Sequence, residues 1–329
     1  MTGTLRWLRR WGVSFASLAG GIATLFVFRR GLPNVAWIIG YLLLLWLLFA
    51  LLTQARQSLE GSERRTHRFV ATAVDYTVQT LYHGLLLFVL PAYYAASTLT
   101  SLNVVFVIVL AALAVLATFD PWYHAIVHPR PWLGAVFFVL SIFAALNVAL
   151  PLLGVRPYVA VILSAWTAVV AITPAVRRAL ASTWSSAVVA TVIAGVAAAA
   201  VAAVGCRVIP PAPLFVARAD LRWNVGTVDS LEPVTDAISV GELRSRGLTA
   251  FTAIYAPAGL RQPVAHVWRH DGRIVDVISF NAVAGGRRDG YRTWSRKTAF
   301  PPDPSGRWTV DVMTTSGQLI GRLRFRVVA

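Results

Sequence analysis

The chain has 329 residues, 57% of them hydrophobic, and a mean hydropathy of +0.64. That excludes an ordinary soluble globular protein, whose apolar share stays near half, and places part of the chain in a bilayer. The formal net charge is +16, an excess that suits anionic surfaces such as lipid headgroups.

Lys297 is the one lysine, so the charge is almost wholly arginine. Thirteen of the 30 cations precede residue 207, where they flank apolar runs. Membrane insertion requires that placement, and no nucleic-acid partner is expected from it. Cys206 is the one cysteine, which excludes an intramolecular disulfide and leaves any exported domain to be held by its core.

Seven apolar runs have the length of membrane helices. They are about Gly12 to Phe28, Pro33 to Leu52, Phe69 to Thr98, Leu102 to Phe119, Trp132 to Leu153, Tyr158 to Pro174 and Ser185 to Gly205. Small residues at helical spacing, Ser17 with Gly21 and Gly195 with Ala199, are packing signals in the first and seventh. With a cytoplasmic N-terminus, the inner segments hold Arg6, Arg9, Arg10, Arg56, Arg64, Arg65, Arg68, Arg130, Arg177 and Arg178. The outer ones hold Arg29, Arg30 and Arg156. This asymmetry obeys the positive-inside rule and puts the tail after Cys206 outside, in the periplasm for a bacterial inner membrane. The start, RWLRRWGVSF, lacks a small-residue cleavage site and reads as a retained first helix. AVGC, ending at Cys206, resembles a lipidation box but stands two hundred residues into the chain.

Beyond Pro210, Pro211 and Pro213 the texture changes to short alternating runs between turn residues. Expected strands are Arg218 to Val228, Leu248 to Tyr255, Val264 to Arg269, Ile274 to Phe280, Tyr291 to Phe300, Trp308 to Thr314 and Leu319 to Val328. With no helical pattern among them, they predict a small all-β, antiparallel, sandwich-like domain over residues 207–329, after a seven-helix transmembrane domain over 1–206.

Period-two alternation sorts the faces. His266, Trp268 and His270 share one side of their strand; Arg292, Trp294 and Arg296 lie together on theirs; Arg322, Arg324 and Arg326 alternate with Leu323, Phe325 and Val327. If these faces point outward, the domain presents cations with two tryptophans among them. Arginines on a solvent face are expected of any exported sheet, with Trp294 lying under their stems. The other reading is a binding surface, since tryptophan and arginine are enriched at contacts. Its partner would be an anionic lipid, an envelope glycan or another protein.

LTAFTAIYAPAGLRQPVAHVWRHDGRIVD and GYRTWSRKTAFPPDPSGRWTVDVMTTSGQLIGRLRF resemble the bacterial family called domain of unknown function 2914. LYHGLLLFVLPAYYAAST and FDPWYHAIVHPRPW resemble the polytopic family called domain of unknown function 5924. Together the likeness implies a bacterial integral membrane protein with a C-terminal extracytoplasmic β domain, and it implies no activity. Gly84 and Leu85 follow His83 where the resemblance leads one to expect polar residues.

Within the membrane half, Asp75, Gln79 and His83 recur every four residues and line one face of the third span. An acid in such a span is costly and points either to a proton or ion route or to an interhelical or interfacial pairing. Asp120 and Pro121 mark a helix start, with the acid as N-cap. His124 and His128 then share one face at a spacing that helical metal sites use, but without a third ligand the favoured reading is a cytosolic interfacial helix with Trp122, Tyr123 and Trp132 at headgroup depth. No HExxH, GxSxG, Walker loop or CxxC occurs, so no cofactor is expected. The leading expectation is a non-enzymatic envelope sensor or scaffold. The competitor is a membrane enzyme or transporter working through Asp75, Gln79 and His83.

Overall fold

The structure, a computed structural model, describes residues 65–223 and 237–328, with side chains from residue 76 onward. The expected spans Gly12 to Phe28 and Pro33 to Leu52 lie outside the described residues.

Among the described residues seven α-helices run up to the exit from the helical region: α1 (Arg65–Ala95), α2 (Asn103–Thr118), α3 (Asp120–Ile126), α4 (Pro131–Leu152), α5 (Pro157–Val170), α6 (Thr173–Ala179) and α7 (Trp184–Val204). Proline opens α4 and α5, where a missing N–H costs nothing because the first turn has no intrahelical acceptor for it. Among the described residues three helices are long and apolar enough to cross a membrane: Pro131–Leu152, Pro157–Ala179 and Trp184–Arg207. A fourth is reached if α2 and α3, bent by 104° at their junction, count as one broken span. The described residues therefore do not reach the expected seven. Thr173 and Thr191 hydrogen-bond through their hydroxyls at 2.7 Å, linking α6 to α7. A Cβ on Gly195 would stand 3.0 Å from the Trp166 ring and 3.2 Å from its carbonyl oxygen, so the missing side chain is what lets α7 approach α5.

The bend between α2 and α3 has a local cause. Pro121 has no N–H to give to Ala117 O, four residues back, and its ring crowds that carbonyl, so α2 cannot continue through it. The N-cap of α3 is Phe119, with no side-chain cap bond, rather than the expected Asp120. The Asp120 carboxylate is engaged elsewhere, as described below.

The chain forms two compact units. One holds the described residues up to Pro91 with Val107–Ala149 and Val159–Val204. The other joins residues from Gly205 onward to two helix-connecting segments, Ala92–Phe106 and Leu150–Tyr158. Within this second unit Asn103 is buried, donates from Nδ2 to Leu319 O at 3.3 Å and accepts the Thr98 N–H at 3.0 Å. Cys206, also buried, directs its thiol to Ser316 O.

Ten strands follow among the described residues: β1 (Phe215–Arg222), β2 (Ala237–Ser239), β3 (Leu248–Tyr255), β4 (Arg261–Gln262), β5 (Val264–His270), β6 (Arg273–Ser279), β7 (Val283–Ala284), β8 (Tyr291–Lys297), β9 (Gly306–Thr314) and β10 (Leu319–Val328). A three-stranded sheet has the order β1-β3-β8 and a five-stranded sheet the order β2-β10-β9-β5-β6, with β4 and β7 pairing apart. One core lies between the two main sheets. Leu248, Ala250 and Ile254 of the first meet Trp268, Trp308, Val310, Val312, Leu323 and Phe325 of the second.

Three expectations are corrected here. The first strand begins at Phe215 and ends at Arg222. The domain is not purely antiparallel, because β2 pairs in parallel with β10. Nor is it free of helix: α8 (Val240–Arg246) is closed by a capping box in which Ser239 accepts from the Glu242 N–H and the Glu242 side chain accepts from the Ser239 N–H. The Ser-x-x-Glu spacing that announces it is present in the sequence. Gly247 ends this helix at φ 66°, in a slot where a Cβ would meet Lys297 O at 3.0 Å.

Candidate binding surface

Strand β8 alternates strictly. Thr293, Ser295 and Lys297 are buried, while Arg292, Trp294 and Arg296 are exposed, Trp294 to 52%. Register places Ala253, Phe251 and Thr249 of β3 beside that exposed trio, and Arg218, Asp220 and Arg222 of β1 beside those in turn. On this side of the sheet Arg218, Arg292 and Arg296 are exposed, whereas Arg222 and the cross-strand partner of Trp294, Phe251, are buried beside the half-buried Asp220.

Arg218 Nε and Arg222 Nη2 both donate to Asp220 Oδ2 at 2.8 Å. Burial pushes the Asp220 carboxyl up, but the hydrogen bonds from Arg222 and Arg218 outweigh it and hold the group below the usual carboxylate range. The Arg222 guanidinium also lies 4.8 Å over the Phe251 ring. Arg296 donates from Nη2 to Arg246 O at 3.1 Å. Among the described residues neither Arg292 nor Arg296 has an ion pair.

Arg322, Arg324 and Arg326 do point out of their sheet, with Arg324 and Arg326 exposed. However, β10 belongs to the five-stranded sheet and β8 to the three-stranded one, so their outer faces point away from each other. The single cationic face expected from the sequence is two. Arg322 is also committed: it donates to both carboxylate oxygens of the buried Asp311, by Nε to Oδ1 and by Nη2 to Oδ2 at 2.9 Å, and Arg269 Nε reaches Oδ2 at 3.1 Å. The bond to Asp311 raises the Arg322 pKa, so this arginine is cationic at any pH of interest.

His266 and Trp268 are corrected more sharply, since both are fully buried between the sheets rather than outward. Their polar atoms are met by inward hydroxyls of the opposite sheet. His266 Nδ1 bonds Ser295 Oγ at 2.8 Å, His266 Nε2 bonds Thr252 Oγ1 at 3.0 Å, and Thr252 bonds Thr293 at 2.8 Å. The Trp268 indole N–H donates to Ser295 Oγ at 3.0 Å. Burial pushes the His266 pKa down to about 4, so the ring is neutral. A serine beside a histidine resembles a nucleophile with its base, yet hydroxyls occupy both imidazole nitrogens and, among the described residues, no carboxylate bonds the ring. It is a satisfied core network.

In the helical unit Gln79 and His83 are buried and turned toward the α2–α3 junction. Gln79 Nε2 donates to Ala117 O at 3.0 Å, taking the acceptor that Pro121 cannot serve, and to Asp120 Oδ1 at 2.7 Å. His83 Nδ1 meets Thr118 Oγ1 at 2.7 Å, and that hydroxyl donates to Ala114 O. Gln79 therefore supplies a donor to the broken end of α2, and His83 ties to the same turn through the Thr118 hydroxyl. The side chain of Asp75 lies outside the described ones. His124 and His128 are exposed, with rings stacked 5.7 Å apart, and His124 Nδ1 bonds Asp120 O. Among the described residues no group of three His, Cys, Asp or Glu could hold a metal ion.

Residues 2–250 match a family of unknown function, DUF5924, and residues 261–327 match DUF2914, a protein of unknown function. The chain belongs to the DUF5924 family. No curated protein matches it. The DUF5924 match runs beyond the helices and ends inside β3, whereas DUF2914 spans β4 to β10. The boundary between the two families thus cuts a single folded core. The β3–β8 pair that builds the exposed face draws one strand from each side of it.

Proposed function

We propose that this chain is a non-enzymatic sensor or scaffold of the bacterial envelope. It crosses the inner membrane seven times from a cytoplasmic N-terminus and displays its β domain in the periplasm. The outer face of the β1-β3-β8 sheet binds an anionic lipid, glycan or protein partner. One observation carries this reading: Trp294, half exposed on an edge strand, stands between two exposed arginines that have no ion pair among the described residues. Tryptophan and arginine are among the residues most enriched at the energetic centres of contact surfaces.

The contacts of Gln79 and His83 weigh against a catalytic or transport reading, because a structural need at the α2–α3 junction accounts for them.

The test uses the full chain in nanodiscs of neutral lipid, since Asn103 and Thr100 bond β10 residues and a fragment starting at Arg207 would lose those contacts. Binding of phosphatidylglycerol vesicles, an acidic polysaccharide and an acidic peptide is compared at low and high salt. At least one should bind in a salt-dependent way, and Arg292→Ala with Trp294→Ala should remove that binding from a folded protein. Unchanged binding in the variant would sink the reading.

A further inference from the structure

The charged face described above lies on a strand with an open edge. In the order β1-β3-β8, the far side of β8 has no pairing strand among the described residues. In an antiparallel pair, alternate residues turn their N–H and C=O groups away from the partner. About half of the β8 backbone groups are thus unspent, and another extended chain satisfies such a row better than a headgroup or a sugar does.

The other sheet also ends in an open strand, β6, but its pairing with β5 shifts register between Trp268 and Arg269, a bulge that makes it a poor template. By contrast β8 runs against β3 from Leu248 opposite Lys297 to Ile254 opposite Tyr291 without a shift.

We propose that β8 takes an extended protein segment by strand addition, with acidic side chains opposite Arg292 and Arg296 and an apolar one opposite Trp294. This rests on the basic face being a binding surface and names the partner it takes. A second copy of the chain is a poor occupant. Antiparallel pairing of two β8 strands about Trp294 would set each Arg292 opposite the other copy's Arg296, and like charges directly opposite destabilise a ladder. The same two cations that discourage self-pairing select a strand with acids two residues on either side of an apolar residue. The inward side chains of that strand would lie beside Thr293 and Ser295, and small polar residues suit them.

The probe is a heptapeptide reading threonine, glutamate, threonine, valine, threonine, glutamate, threonine. It is the same in both directions and so matches β8 in either strand orientation. Two derivatives carry backbone N-methyl groups, one on the glutamate and valine residues and the other on the threonines. Titrated into the full chain in neutral-lipid nanodiscs, the parent should bind. One derivative should bind about tenfold or more weakly, as loss of two or three hydrogen bonds implies, while the other stays close to the parent, because only alternate amides face β8. Arg292→Glu with Arg296→Glu should abolish binding of the parent.

Equal affinity of all three peptides would overturn strand addition and leave a basic surface that reads charge alone. No peptide binding, with capture of phosphatidylglycerol vesicles that depends on Arg292 and Trp294, would overturn it in favour of a lipid headgroup. Failure of every anionic probe would remove the binding surface itself.

Discussion

Lowering the pH should loosen the β domain through one side chain, His266. In the folded protein burial holds this imidazole at a pKa of about 4, against an ordinary 6.5. The unfolded chain therefore takes up the proton first as pH falls, and the folded state must either resist or open. Stability from this group is complete above 6.5 and drains as the pH falls toward 4. At about 1.4 kcal/mol per pH unit, the window amounts to about 3 kcal/mol. For a domain of this size that corresponds to roughly 10 °C in melting temperature. Melting of the full chain followed by near-UV circular dichroism from pH 7.5 to 4 reads this out, with His266→Gln as the comparator. The amide of that variant can still bond the Ser295 and Thr252 hydroxyls but cannot titrate. The wild type should lose stability across the window and the variant should follow a flatter curve. Carboxylates such as Asp220, held below the usual range against its burial by Arg222 and Arg218, are common to both proteins and cancel in the comparison. Parallel curves would show that His266 is not held neutral and would refute the argument.

Replacing Gln79 by Leu should cost about 1–3 kcal/mol, because Ala117 O loses its donor in a buried site. The loss should shrink in a Pro121→Ala background, where a backbone N–H is available to that carbonyl, and thermal denaturation in detergent measures both. Asp311→Ala strands two half-buried guanidiniums, those of Arg269 and Arg322, and should destabilise by about 2 kcal/mol in the same assay. Gly195→Val would press its side chain into Trp166, and should lower the melting temperature and open the α5–α7 contact to limited proteolysis; an unchanged digestion pattern would count against close packing there.

What was legible in the sequence was whatever depends on neighbours along the chain. Period-two alternation predicted that Arg292, Trp294 and Arg296 share a face, and that Leu323, Phe325 and Val327 oppose Arg324 and Arg326, because a pleated strand alternates wherever it is placed. Apolar run length marked Trp132 to Leu153 and Ser185 to Gly205, where the helices run Pro131–Leu152 and Trp184–Val204, and Gly195 announced a close helix contact.

Tertiary structure decided what alternation leaves open, namely which of two faces is inside and which strands are neighbours. His266 and Trp268 share a face, but only the hydroxyls of Thr252, Thr293 and Ser295, delivered by the opposite sheet, make its burial tolerable. Likewise β8 and β10 look alike in sequence, and only strand pairing assigns them to different sheets with opposed cationic faces. The role of Gln79 was hidden for the same reason. Its spacing with His83 is visible in the chain, whereas the carbonyl it serves lies 38 residues away, freed by a proline on another helix. Local geometry is encoded locally; the partner of a buried polar group is not, because it is chosen by whichever segment folding brings within hydrogen-bond reach.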